Sequence, residues 1–129
     1  MTNVELVKQA YAYFGEGNIE ACLGLMHPQI EWNECQSFPY VTGEGVIVGP
    51  QEIAQAVFAN IPEYMEGFQV DVQELFGCDE KVVMVGYYTG TWKATGKKFR
   101  ANATHTWTVK DGKLTHFFQA VDTAEIFNP

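Results

Sequence analysis

A carboxylate and an amide close an otherwise apolar segment, His116-Phe117-Phe118-Gln119-Ala120-Val121-Asp122. A carboxylate in an apolar pocket loses solvation, so its pKa rises, and it can take a proton from carbon beside a carbonyl near neutral pH. The enolate that forms needs hydrogen-bond donors. Asp122 is therefore the candidate base. His105 and Gln119 are the candidate donors or orienting groups, and the Trp107 indole is a further donor. A second reading stands beside the first. Asp122-Thr123-Ala124-Glu125 has the form of a capping box, in which the carboxylate serves only the backbone of a terminal helix. His105 then becomes a hydrogen-bonded wall residue. Gln119 becomes a buried amide that orients its neighbours, because a buried amide must find partners.

These groups need elements to position them. Residues 97–109 alternate cleanly: Phe99, Ala101, Ala103, His105, Trp107 and Val109 share one face, and polar residues share the other. The first face is the core side of a strand, and its two alanines leave room for a ligand. The strand 113–122 that follows has two registers. A two-residue turn at Asp111-Gly112 pairs Lys110 with Lys113 and points Asp122 inward. A three-residue loop pairs Val109 with Lys113 and points Gln119 inward. Gln119 and Asp122 differ in parity, so both enter one pocket only through a bulge or bend near Ala120-Val121.

The rest of the chain fits around this hairpin. Thr2 and Glu5 form a capping box before a helix with the stripe Val4, Val7, Tyr11 and Phe14. Asn18 caps a second helix, 19–26, which His27-Pro28 stops. Residues 29–35 read as a short strand and 36–49 as a polar loop. Pro50 opens a third helix that Pro62 closes. Strands 67–76, 81–93, 97–109 and 113–122 follow, joined by short turns, as an antiparallel meander. Helices first and strands last make an α+β domain over 1–129, with a curved sheet wrapped around the helices and one pocket between them.

Composition excludes several classes of function. Eight Lys and Arg face sixteen Asp and Glu, a formal charge of −8. No basic face for nucleic acid or an anionic membrane is available. Hydrophobic residues make up 47% of the chain, enough for a globular core. No charged-then-apolar leader and no membrane-length apolar run is present, and the three unpaired-looking cysteines suit a reducing, cytoplasmic setting. His27, His105 and His116 share no metal-ligand spacing, and no phosphate-binding glycine motif occurs, so neither metal nor cofactor is expected. Strand 81–93 is apolar on both faces, which requires a cover on its outside.

Three stretches carry a resemblance: GYYTGTWKATGKKF, the H-x-W-T-V-x-D-G-K segment from His105 to Lys113, and FFQAVDTA. With the F-x-x-G-N-I-E, IEW and G-P-Q-E-I stretches of the N-terminal half, the chain resembles the SnoaL-like, ketosteroid-isomerase-related branch of the nuclear-transport-factor-2-like superfamily. The resemblance implies a cone-shaped α+β barrel with one deep pocket and a homodimer packed through the sheet. It places His105, Trp107, Gln119 and Asp122 at the pocket, and Asp122 matches the base of cyclase-like relatives. The base position of ketosteroid isomerases proper falls in IEWNE, residues 30–34. Trp32 and Asn33 stand there, with Glu31 and Glu34 nearby. The expected ligand is a small apolar or carbonyl-containing molecule. The site residues are Asp122, His105 and Gln119 for chemistry, with Trp32, Trp107, Tyr13, Phe117 and Tyr87 as walls. The expected activity is that of a cofactor-independent isomerase or cyclase. The alternative is a non-catalytic binder using the same pocket.

Overall fold

The computed structural model describes residues 1–127. Helix α1 (Asn3–Gly15) starts at the expected capping box. Thr2 Oγ1 accepts from the Glu5 N–H at 3.1 Å, and the Glu5 carboxylate accepts from the Thr2 N–H at 2.9 Å. The helix buries Leu6, Val7 and Ala10. Helix α2 (Ile19–Leu23) is capped by Asn18 and is shorter than its apolar stripe suggests. Strand β1 (Met26–Asn33) begins before Pro28 rather than after it. Pro28 lies in a stretch where the pairing of β1 shifts register, so its missing N–H costs no ladder bond.

The expected loop 36–49 contains a short strand, β2 (Val46–Val48), paired with β1. Pro50 opens α3 (Pro50–Ile53) as expected, but the helix widens into a π-helical turn over Ala54–Phe58. Pro62 then sits in the first turn of a separate helix, α4 (Ile61–Tyr64), where its missing N–H is tolerated. The long strands follow as β3 (Met65–Cys78), β4 (Lys81–Trp92), β5 (Lys97–Lys110) and β6 (Lys113–Val121), and α5 (Thr123–Phe127) completes the described chain.

The six strands form one curved, unclosed sheet in the order β2-β1-β6-β5-β4-β3. All pairs are antiparallel except β1–β6, which is parallel. Two register shifts in β3, between Glu66 and Gln69 and between Val72 and Glu74, bend its edge of the sheet. Gly86 faces the second of them: a Cβ there would stand 2.1 Å from the Asp71 carbonyl oxygen. The alternation of β5 is as the sequence indicates, with Phe99, Ala101, Ala103, His105, Trp107 and Val109 buried.

The last hairpin combines a feature of each expected register. Lys110 pairs with Lys113 across a two-residue turn, and Val109 pairs with Leu114. An irregularity between Thr108 and Val109 then leaves Thr115 as an extra residue, and Thr108 pairs with His116. From there Trp107 faces Phe117 and His105 faces Gln119. The bulge thus lies at the start of β6, not near Ala120-Val121. It keeps Leu114, Phe117 and Gln119 on the concave face although 114 and 117 differ in parity.

Candidate functional site

The helices cover the concave face of the sheet and leave a cavity enclosing about 580 Å³, its open mouth included. Its aromatic wall is dense. Trp32 stacks on Phe117 at 3.8 Å between centroids, and Trp107 meets Trp32 edge-on at 5.8 Å. Trp32, Trp107, Phe117, His105 and Gln119 all line this cavity, as the sequence leads one to expect.

Three expected residues lie elsewhere. Asp122 is exposed just past the end of β6, and its Oδ1 accepts from the Glu125 N–H at 3.3 Å. It takes the helix-capping position, because the bulge at Thr115 gives the inward parity to Gln119. Tyr87 lies on the outer face of β4 with the Arg100 guanidinium 3.8 Å above its ring; the inner face belongs to Val82, Met84 and Tyr88. Tyr13 packs on the flank of α1, and Tyr11, one turn from Phe14 and Val7, takes the place at the cavity.

A carboxylate outside the expected site residues, Glu34 of the IEWNE stretch, does reach the cavity. Glu34 extends the inward alternation Ile30-Trp32-Glu34 and is only 7% exposed. Its Oε1 accepts from the Trp32 indole N–H and its Oε2 from the Tyr40 hydroxyl, each at 2.8 Å. Burial raises its pKa above the ordinary carboxylate range; the Trp32, Tyr40 and Gln119 side chains, in that order, pull it partly back. The period of two was legible in IEWNE, but a charge on an apolar face reads as an unlikely occupant until partners for it are seen.

Deeper in, Tyr11 and Tyr88 hold the two ring nitrogens of His105. The Tyr11 hydroxyl lies 2.6 Å from Nδ1 and the Tyr88 hydroxyl 2.5 Å from Nε2. Trp107 Nε1–H donates to the Tyr11 oxygen at 2.9 Å, and the Tyr88 O–H donates to Gln119 Oε1 at 2.5 Å. Burial lowers the His105 pKa to about 3 and raises those of Tyr11, Tyr40 and Tyr88. The ring is therefore neutral and the three phenols keep their protons at neutral pH. Gln119 Nε2 is buried without a hydrogen-bond partner among the described residues. Also among them, no group of three or more His, Cys, Asp or Glu side chains is placed to hold a metal ion.

The family pattern of the SnoaL-like domain matches residues 7–117. The chain belongs to the SnoaL-like family. None of the curated proteins compared with this SnoaL-like chain matches it in sequence. Among solved structures, an NTF2-like protein from Burkholderia thailandensis E264 is 32% identical and superposes with a TM-score of 0.89, covering 97% of this chain and 94% of its own. TerC, co-crystallised with polyporic acid, is 27% identical with a TM-score of 0.83, covering 95% and 92%. A protein of ketosteroid-isomerase-like fold from Catenulispora acidiphila DSM 44928, solved with trimethylamine, is 14% identical with a TM-score of 0.81, covering 95% and 88%, and is alike in fold alone.

Proposed function

We propose that this SnoaL-like chain carries out cofactor-independent proton transfer on a small, mostly apolar carbonyl compound, as an isomerase or cyclase, with Glu34 as the general base in place of Asp122. The observation that carries this reading is a buried carboxylate of raised pKa lining an aromatic cavity. Each carboxylate oxygen accepts about two hydrogen bonds. Trp32 and Tyr40 take one lone pair on each oxygen of Glu34 and orient the group, which leaves capacity to accept a proton from carbon. Desolvation makes that carboxylate a stronger base than one in water, while its two donors keep it ionisable. Gln119 supplies a donor for the developing enolate oxygen. The aromatic walls select a flat apolar frame, and the co-crystallisation of TerC with polyporic acid supports a small-molecule ligand.

The test uses 2-tetralone, an apolar ketone with acidified α-hydrogens. Proton NMR in D₂O follows replacement of those hydrogens by deuterium. The chain should accelerate exchange over buffer, and Glu34→Gln should lower the rate about 100-fold or more. Exchange that survives Glu34→Gln unchanged sinks the assignment. One observation favours a binder instead: the hydroxyl protons of Tyr11 and Tyr88 and both nitrogens of His105 are already engaged with one another. A binder predicts that 2-tetralone quenches tryptophan fluorescence with no exchange by the wild-type chain.

The convex face supports a second copy of this chain as partner. Phe76, Val83, Thr106 and Phe118 form one lateral row across β3, β4, β5 and β6, with Phe76 53% and Phe118 57% exposed. Two exposed phenylalanines on one flat row are the kind of apolar surface that homodimers cover.

A further inference from the structure

Five side chains in the cavity wall form one hydrogen-bonded series: Trp107, Tyr11, His105, Tyr88 and Gln119. We infer that this series runs in one direction only, that it holds His105 as the Nε2–H tautomer, and that it turns the Gln119 amide so that its NH₂ faces the cavity as the donor for a neutral ligand's carbonyl oxygen. The inference rests on the proposed ligand cavity and adds which polar group of the ligand meets which residue.

An indole nitrogen only donates, so the Tyr11 oxygen must accept from Trp107. The Tyr11 proton then has one remaining partner, His105 Nδ1, which must be the bare, accepting nitrogen. His105 consequently carries its proton on Nε2 and donates it to the Tyr88 oxygen. The Tyr88 proton goes on to Gln119 Oε1. Every proton from Trp107 Nε1 to the Tyr88 hydroxyl then has an acceptor. The reverse direction fails at both ends. His105 Nδ1–H would donate to Tyr11, whose own proton would then have no acceptor beside the Trp107 N–H. Gln119 would turn its carbonyl oxygen toward the cavity that also holds the Glu34 carboxylate, two acceptors with no proton between them.

Trp107 at one end and Glu34 at the other therefore enforce the same direction. Gln119 Nε2 is left buried, facing a cavity it lines, close enough to the Glu34 carboxylate to lower its pKa but without a hydrogen bond among the described residues. A buried N–H without a partner is costly, and a ligand carbonyl oxygen relieves that cost. His105 touches the series on both nitrogens, so it is a positioning residue here and not a group that meets the ligand.

The tautomer is read directly. His27 and His116 are exposed, so a His27→Gln/His116→Gln chain labelled with ¹⁵N-histidine reports His105 alone. The expected spectrum at neutral pH shows a protonated Nε2 and a bare Nδ1. A protonated Nδ1, or a doubly protonated ring, overturns the direction of the series. The ligand claim is read from tryptophan quenching with 2-tetralone and with tetralin, the hydrocarbon of the same frame. Gln119→Met should weaken 2-tetralone about five- to tenfold and leave tetralin within about twofold. Equal loss for both, or no preference of the wild-type chain for the ketone, overturns it. The outcomes separate from those of the proton-transfer reading. Selective ketone binding without deuterium exchange sinks Glu34 as a base and leaves this inference standing, whereas a protonated Nδ1 does the reverse.

Discussion

At the scale of single residues, environment separates two carboxylates of similar intrinsic acidity. Glu34 is buried among aromatic rings and held by two donors, whereas Asp122 is exposed and accepts from the backbone of α5. Deuterium exchange that depends on ionised Glu34 should rise with pH through a midpoint above the usual ~4.3 of glutamate, because burial raises its pKa. A pH–rate profile with no inflection there counts against the assignment. Asp122→Asn should leave exchange near wild type. Asp122→Ala should cost about 1 kcal/mol of stability, the usual loss for a helix cap, as read by urea denaturation. His105 gives a prediction of opposite sign to that of Glu34. Its folded pKa of about 3 lies below its ordinary 6.5, so the unfolded chain binds more protons between those values. The stability linked to neutral His105 is complete above about pH 6.5 and is lost as pH falls toward about 3. Glu34, with its pKa raised, favours the folded state in its protonated form, an advantage lost as pH rises through its folded pKa. His105→Gln should therefore flatten the acid-side fall in stability, by up to ~1.4 kcal/mol per pH unit. Urea midpoints collected from about pH 4 to pH 7.5 measure that slope, and a slope unchanged in His105→Gln would mean that His105 is already protonated in the fold.

At the scale of elements, one extra residue decides which side chain meets the histidine. The turn at Asp111-Gly112 starts β6 in a register that would pair His105 with Phe118. The bulge at Thr115 advances it so that Gln119 stands there instead. Deleting Thr115 removes the extra residue and makes Val109–Leu114 and Thr108–His116 successive pairs, so Phe117 and Gln119 keep the concave face. His105 then stays opposite Gln119 and Trp107 opposite Phe117. The expected result is a deletion chain that still unfolds cooperatively in circular dichroism, and loss of the cooperative transition would show that the fold needs the bulge itself. The bulge was not legible in residue types. Thr115 is an ordinary strand residue, and the apolar positions Leu114, Phe117 and Phe118 satisfy more than one alternation. Tyr88 and Tyr11 were nearer to being readable, because Tyr88 shares parity with Val82 and Met84 and Tyr11 lies on the α1 stripe. Both faces of β4 carry apolar residues, so its pattern alone could not tell the inner tyrosine from Tyr87.

At the scale of the whole molecule, the sheet has a concave face filled by helices and a convex face that ends in exposed aromatics. Phe118→Asp places a charge at the β6 end of the row shared with Phe76, Val83 and Thr106. Sedimentation should show the wild-type chain as a dimer at micromolar concentration and Phe118→Asp as a monomer, with deuterium exchange retained because the cavity opens on the other face. A wild-type monomer would leave the row without the proposed partner. Among the described residues no helix is long and apolar enough to cross a membrane.

The sequence by itself determined the order of the first two helices and the four long strands, the capping of α1 and α2, the inward face of β5 and the SnoaL-like membership of the chain. These depend on local periods, caps and turns, which neighbouring residues set together. Trp107 at the cavity wall was legible for the same reason, whereas the inward place of Phe117 depended on a register that the residue pattern left open. Only the tertiary structure decided that Glu34 and not Asp122 reaches the cavity, and that two tyrosines from α1 and β4 enclose the histidine. Those outcomes depend on partners distant in the chain: Tyr40 and Trp32 make a buried charge at Glu34 tolerable, Trp107 sets the direction of the hydrogen-bonded series, and one unpaired residue in β6 chooses which side chains face inward. A residue's type states what it can donate or accept, but the fold supplies what stands opposite.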